Sequence, residues 1–356
     1  MNSLLFDPRP KTKREELFDR ETELKELEKA LKTYPIVTVN GLRRIGKSSI
    51  LKVFASEGER RIYIDLRKLL TSKGRIEKKD LVEEFRKEIR KISRKIKIAD
   101  IIKRVKGMDV LGMRIEMDWR EIVFSELFEA FNDIGVVIIF DEAQLLSRYG
   151  RRGGRDLLVL FSYIYDNLEN VTLIMSGSEI GLLHDFLRID DYESPLYGRA
   201  IFELDVKPFD KNLSKEFLKK GFEEVGVKAR FDMDLAVETF DGIVGYLVLF
   251  GLSYVKNENF EKAVEETFST VEKLVLKELK ELKKRTENYL YILEAIAKGF
   301  VRWGAVKSYL KAKDIELSES RMYRLLKNLE KMSWIEISEE TYKIADPVIE
   351  KLLRKL

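Results

Sequence analysis

The sequence predicts an α/β fold: a parallel sheet covered by helices on both faces, then a helical unit, then a small C-terminal unit of three helices and a hairpin. Three observations predict it. Short, apolar, β-rich runs alternate with helical patterns from residue 21 to about residue 204. From Phe209 onward strands give way to charged, helical sequence. Near the C-terminus, helical patterns lead into two short β-rich runs joined by only two residues.

The elements follow in chain order. Residues 1–14 are polar, carry two prolines and read as an arm. Leu24, Leu27 and Leu31 share one face of a helix from Glu21 to about Lys32, which Pro35 ends. Ile36–Asn40 reads as a buried strand, 41–46 as a Gly-bounded turn, and Lys47 to about Ala55 as a helix. Further strands are expected at Arg61–Asp65, Val136–Phe140, Val171–Ser176 and Ala200–Leu204, with helices at about 79–96, 119–133 and 155–168. Residues 97–118 break this rhythm. Met113-Arg114-Ile115-Glu116-Met117 alternates, with Gly107 and Gly112 nearby, so a β-hairpin insertion is expected there. The divisions are a core over 1–208, a helical lid over 209–285, and a winged helix-turn-helix over 286–356. In that last unit, helices at about 289–298, 303–312 and 318–332 precede strands Ile335–Ser338 and Thr341–Ile344. Gly242 and Gly245 sit in helical sequence and mark a helix boundary in the lid.

Composition narrows the chemistry. The chain has 356 residues, no Cys, and a single histidine, His184, so thiolate chemistry, disulfides and multi-histidine metal sites are excluded. His184 lacks the arrangement of a triad base. Charged residues make up 36%, yet the formal net charge is only +4, so nucleic-acid binding needs a local patch. A single Gln beside abundant Lys and Glu is a hyperthermophile pattern. The sequence shows neither a signal-peptide pattern nor an apolar run of about 18 residues, so a cytoplasmic protein with no membrane partner is expected.

Gly41-Leu42-Arg43-Arg44-Ile45-Gly46-Lys47-Ser48 fits G-x4-G-K-[ST] in full. A β- and γ-phosphate pair needs several converging backbone N–H groups, which glycines allow by wrapping closely. A helix starting at Lys47 adds its positive N-terminal end. Lys47 brings a cation to the β/γ oxygens, and the Ser48 hydroxyl is a hard oxygen ligand for Mg2+. ATP or ADP with Mg2+ is therefore the expected ligand. Gly41, Arg43, Arg44, Ile45, Gly46, Lys47, Ser48 and Ser49 form the candidate nucleotide-binding segment, whether or not the two arginine side chains face the phosphates.

Val136-Val137-Ile138-Ile139-Phe140-Asp141-Glu142 is an apolar strand ending in two acids. Ligands of open α/β sheets sit at the carboxyl edge of the strands. Asp141, on a strand neighbouring the loop, would join Ser48 in holding Mg2+, and Glu142 would act as general base toward the attacking water. Alone, the same pair would read as acids at a helix N-terminus. Ser176 or Ser178, after the next strand, would sense the γ-phosphate or orient water, or else simply form a turn. Arg199 is the candidate arginine finger, in cis or in trans, against the alternative of a surface ion pair. The arginines at 148, 151, 152 and 155 read as a solvated basic loop.

These motifs resemble an archaeal ATPase family in the STAND/AAA-like group. The loop through Leu51 is similar to G-x-R-R-x-G-K-[ST]-S-L, and Phe18-Asp19-Arg20-Glu21-Thr22-Glu23-Leu24 resembles the family's adenine-proximal segment, which adds Arg20 to the candidate set. Phe140–Gln144 resembles its magnesium strand, Met175–Ser178 its sensor, and Ser194–Ala200 its arginine motif. Asp241–Gly245 resembles a lid G-x-P-G motif with Val244 in place of Pro, and Tyr342–Pro347 resembles its C-terminal Y-x-h-x-D-P. The resemblance implies an ASCE-type P-loop core, a helical lid, a winged helix, and ATP hydrolysis used as a switch or motor.

In Ser318–Met332, Met322, Leu325, Leu326, Leu329 and Met332 share one face, with Arg321, Arg324, Lys327 and Lys331 roughly opposite. Such a helix suits the major groove of double-stranded DNA. Residues 289–356 carry 13 Lys/Arg against 10 Asp/Glu, with acids on or near the wing, so protein docking stays open beside DNA. The readings weighed are an ATP-driven switch engaging DNA or protein, a DNA-binding regulator with a structural or slowly turned-over nucleotide, and a nucleotide binder without turnover. Nucleotide-dependent self-association is a further expected partner mode.

Overall fold

A computed structural model describes residues 5–93 and 124–355. The hairpin expected at 97–118, and the first residues of the helix expected at 119–133, lie outside the described residues. Strands β1 (Ile36–Asn40), β2 (Arg61–Asp65), β3 (Val136–Asp141), β4 (Val171–Ser176) and β5 (Phe202–Asp205) form one parallel sheet in the order β2-β3-β4-β1-β5. Central position explains composition: every residue of β1 and β4 is buried, which their apolar runs require. The acidic strand β3 is not the immediate neighbour of β1, because β4 stands between them. Pairing aligns Val39 with Ser176, Phe140 with Met175, and Asp65 with Asp141, so the polar strand ends line one carboxyl edge.

One sheet face packs on α1 (Glu21–Ala30) and α2 (Lys47–Glu57). The other packs on α3 (Lys78–Ser93), α4 (Phe124–Asn132), α5 (Arg155–Asn167) and α6 (Ile180–Leu187). The helical unit contains α7 (Lys211–Val225), α8 (Met233–Phe240), α9 (Val244–Asn257) and α10 (Phe260–Arg285). The arm is not loose. Phe6 is fully buried in the lid, its ring filling a slot where Gly221 of α7 and Gly251 of α9 carry no side chain.

The last unit holds α11 (Asn288–Ala297), α12 (Trp303–Ala312), α13 (Glu319–Lys331) and the antiparallel hairpin β6 (Ile335–Ser338) and β7 (Thr341–Ile344). A fourth helix, α14 (Pro347–Leu353), was not expected. Asp346 caps it by accepting from the Val348 and Ile349 amides, and Pro347 fills its first position, where no N–H is needed.

Candidate active site

The site grows from the end of β1. Gly41 and Gly46 take φ of +141° and +103°, conformations that side chains resist, and the loop curls back on itself between them. Lys47 donates Nζ to the carbonyls of Gly41 (2.7 Å) and Leu42 (2.8 Å). Burial pulls its pKa down to about 8, against the opposing pull of the Glu142 and Asp141 carboxylates.

That shift carries a testable sign. Between about pH 8 and 10.5 the unfolded chain holds this proton more tightly, so the cost of burying the cation is present below pH 8 and relieved as pH rises through the window. A polyphosphate beside Nζ favours the charged form, so binding above pH 8 must take up a proton. ATP affinity is expected to weaken above that pH by up to about tenfold per unit, with matching proton uptake in calorimetry. Lys47→Ala should lose the proton uptake.

Asp141 is buried at the tip of β3, and hydroxyls surround it. Oδ2 accepts from Ser48 Oγ (2.8 Å) and Tyr63 OH (2.6 Å), and Oδ1 accepts from Ser176 Oγ (2.5 Å). Burial, then the Asp141 charge, pushes the Tyr63 phenol well above its usual range, so it stays a donor. Arg67 places Nη2 3.5 Å from Asp141 Oδ2. Asp65 holds the same guanidinium, accepting from Nε (2.8 Å) and Nη2 (2.9 Å).

Glu142 has left-handed backbone (φ 59°, ψ 47°), worth roughly 1–2 kcal/mol for a non-glycine residue. Its Oε2 accepts from Gln144 Nε2 (2.6 Å) and Ser178 Oγ (2.8 Å). Ser178 thus positions Glu142, while Ser176 serves Asp141. Lys47, Ser48, Arg67, Glu142 and Ser178 line one cavity of about 610 Å³. Its other walls are the arm (Leu5 and Asp7 to Lys11), Phe18, Phe209, Phe217 and lid residues Val248, Leu249 and Leu274. The apolar end suits a flat base and the charged end a polyphosphate.

The residues also fit Mg2+. Among the described residues no group of three or more His, Asp or Glu side chains gathers to cage a metal. Ser48 and Asp141 instead offer two hard oxygens. Mg2+ characteristically takes one or two protein oxygens and completes its shell with phosphate and water.

Other expected residues occupy different places. Arg20 lines the cavity but donates to the Ile45 (3.3 Å) and Lys207 (3.0 Å) carbonyls, pairs with Glu23 and lies over Phe209, bracing the loop from behind. Arg43 pairs with Glu179 (2.7 Å), and Arg44 with Glu278 of α10 (2.7 Å). Ser49 Oγ accepts from the Lys11 amide (3.1 Å), tying the arm to α2. Of the two readings of Arg199, the structure holds the ion pair: it pairs with Asp166, donates to the Pro195 carbonyl and lies over Tyr165. Asp166 closes α5 just before β4 begins, and Arg199 precedes β5, so this residue lies toward the amino edge, away from the phosphate loop. It is not among the residues that line the cavity. His184 lies 3.4 Å from Glu203 on β5, also outside the cavity.

Residues 17–250 match an ATPase domain predominantly from Archaea. The chain belongs to that archaeal ATPase family. Residues 283–345 match the C-terminal winged helix-turn-helix domain of MCM proteins. The chain is similar to the Walker-type ATPase PABY2304 of Pyrococcus abyssi, at 45% identity over 98% of this chain and 99% of that one, with a TM-score of 0.90. The ORC2 protein of Aeropyrum pernix, solved in ADPNP-ADP complexes, shares the fold at 15% identity, a TM-score of 0.59, and coverage of 99% and 95%. A curated relative, MJECL04 of Methanocaldococcus jannaschii, is 29% identical over 324 residues, 89% of this chain. The chain spans only 61% of that relative's length.

Proposed function

We propose that this archaeal ATPase binds ATP with Mg2+ in the cavity, hydrolyses it, and uses the cycle to move the lid and winged helix relative to the core. Binding is carried by Lys47 and the loop amides. Bound Mg2+ would supply charge neutralisation for the phosphate oxygens. Glu142 takes the proton of the attacking water as its oxygen bonds to the γ-phosphorus, and the bond to the β-phosphate oxygen breaks, leaving ADP and inorganic phosphate. Ser178 and Gln144 hold that carboxylate in place.

The observation that supports a switch is the wiring of the loop. Arg44 meets Glu278 and Tyr246 OH (3.3 Å) in the lid, and Tyr246 donates to Asp346 of the winged unit (2.6 Å). Arg43 lies over Trp334, just before β6. The segment after Ser178 reaches the same unit: the Ile180 amide donates to Ser333 Oγ (3.2 Å) and Asp185 pairs with Lys331 (2.8 Å). Phosphates that displace these contacts shift both outer units, and by linkage the outer units change nucleotide affinity. Donor and acceptor dyes on α4 and α13 test this. ADP and ATP should give distinct transfer efficiencies in wild type, and Asp346→Asn should shrink the difference; identical efficiencies would refute the switch.

A second reading, a DNA-binding regulator, has its own observation. Arg321 and Arg324 of α13 are exposed, although Lys327 pairs with Glu330 and Lys331 with Asp185. Duplex binding that is salt-dependent yet indifferent to nucleotide would favour it. Arg199 stands outside this chain's cavity, so a role for it in hydrolysis would be supplied across an interface by a second copy of the chain, in nucleotide-dependent self-association. No helix among the described residues is long and apolar enough to cross a membrane.

A further inference from the structure

We infer that Arg67, at the end of β2, is the arginine that contacts the γ-phosphate of ATP in cis and stabilises charge there during transfer. This rests on the ATP reading above. Three observations carry it.

The first is place. Arg67 lines the cavity together with Lys47, Glu142 and Ser178, and it approaches Asp141. It therefore sits at the hydrolytic end, opposite the apolar pocket of the arm and lid. The second is availability. Arg43 and Arg44 are engaged with Glu179 and Glu278 and Arg20 with carbonyls and Glu23, while Arg9, held by Asp7 as Arg67 is by Asp65, lies on the arm wall and has no contact with Asp141. Arg67 has Nε and Nη2 engaged by Asp65, while Nη1 has no hydrogen-bond partner among the described residues. The third is rigidity. The Asp65 fork grips the planar guanidinium along one edge, and the Asp65 carboxylate also accepts from the Arg67 amide (3.1 Å). A donor fixed before the reaction costs no reorganisation when charge develops.

The rival account is that Arg67 only balances the Asp141 carboxylate. The two differ in what they do to ADP and ATP. A γ-phosphate contact is made by ATP alone, whereas a disturbed Asp141 weakens both nucleotides through their shared metal. The experiment measures affinities of ADP and of a non-hydrolysable ATP analogue, each with Mg2+, for wild type, Arg67→Gln and Arg67→Lys. Arg67→Gln is expected to lose about 10–100-fold in analogue affinity, the worth of one charge-assisted contact, while ADP affinity stays within about twofold. Arg67→Lys, which keeps the charge but not the fork, should fall between and secures the comparison if the glutamine variant folds poorly. The turnover rate should fall by roughly 10³-fold in Arg67→Gln. Equal losses for both nucleotides, or none for either, would overturn the inference. Failure of wild type to bind either nucleotide would instead overturn the ATP reading itself.

Discussion

Glu142→Gln is expected to stop ATP turnover while leaving ATP bound. The substitution keeps the shape of the side chain and an oxygen that accepts from Ser178 Oγ and Gln144 Nε2, so the strained turn at residue 142 has the same supports. It removes only the basic oxygen and one negative charge. Loss of a positioned general base costs roughly 10²–10⁴-fold in rate. The charge also matters to Lys47, because the Glu142 carboxylate helps hold that ammonium protonated against burial. In the variant, the alkaline limit of ATP binding should move below the wild-type limit near pH 8. Steady-state ADP release together with equilibrium ATP binding across pH 7–9 checks both parts. A variant that turns over at near wild-type speed would remove Glu142 from the chemistry.

Gly242→Ala is expected to destabilise the protein more than any other single methyl addition at a lid glycine. Gly242 has φ +68°, and a Cβ there would sit 1.9 Å from the Phe209 carbonyl oxygen. The two residues are hydrogen-bonded, Phe209 N to Gly242 O at 3.0 Å, so neither chain can drift apart freely. Left-handed backbone on a non-glycine residue costs about 1–2 kcal/mol, and forced repacking about 1–3 kcal/mol more. A total near 2–5 kcal/mol is a large share of the roughly 5–15 kcal/mol that holds a typical domain together. Gly299→Ala is the internal control: φ is +94° but nothing lies within 4 Å of the added carbon, so only the backbone cost applies. Urea unfolding should separate the two variants clearly. Nucleotide affinity should also fall in Gly242→Ala, because Phe209 lines the cavity and carries Arg20 on its ring.

What the sequence made legible was local. The Gly-bounded loop and the acidic strand end are each contiguous, and their chemistry dictates spacing, so Lys47, Ser48, Asp141 and Glu142 could be picked out as candidates without a structure, which brings them to one edge. The stripe of α13 was legible for the same reason: Met322, Leu325, Leu326, Leu329 and Met332 are buried as the 3.6-residue period requires. What escaped was long-range. Tyr63 and Arg67 reach Asp141 only because β2 pairs in register with β3, which no spacing along the chain reveals. Glu278 and Tyr246 meet Arg44 across more than 200 residues of sequence. Arg199 shows the converse. A motif fixes order along the chain, and Asp166 and Tyr165 decide where the side chain rests. The Asp346-Pro347 pair was a visible start signal for α14, and applying the capping rule there would have found the helix.

The most direct test of the whole account is a crystal structure of Glu142→Gln with ATP and Mg2+. The polyphosphate should lie against Lys47 and the amides of 41–48, the cation should rest between Ser48 Oγ and Asp141, and the base should occupy the apolar pocket beneath the arm. A nucleotide lodged elsewhere, or a cation held by other side chains, would contradict it.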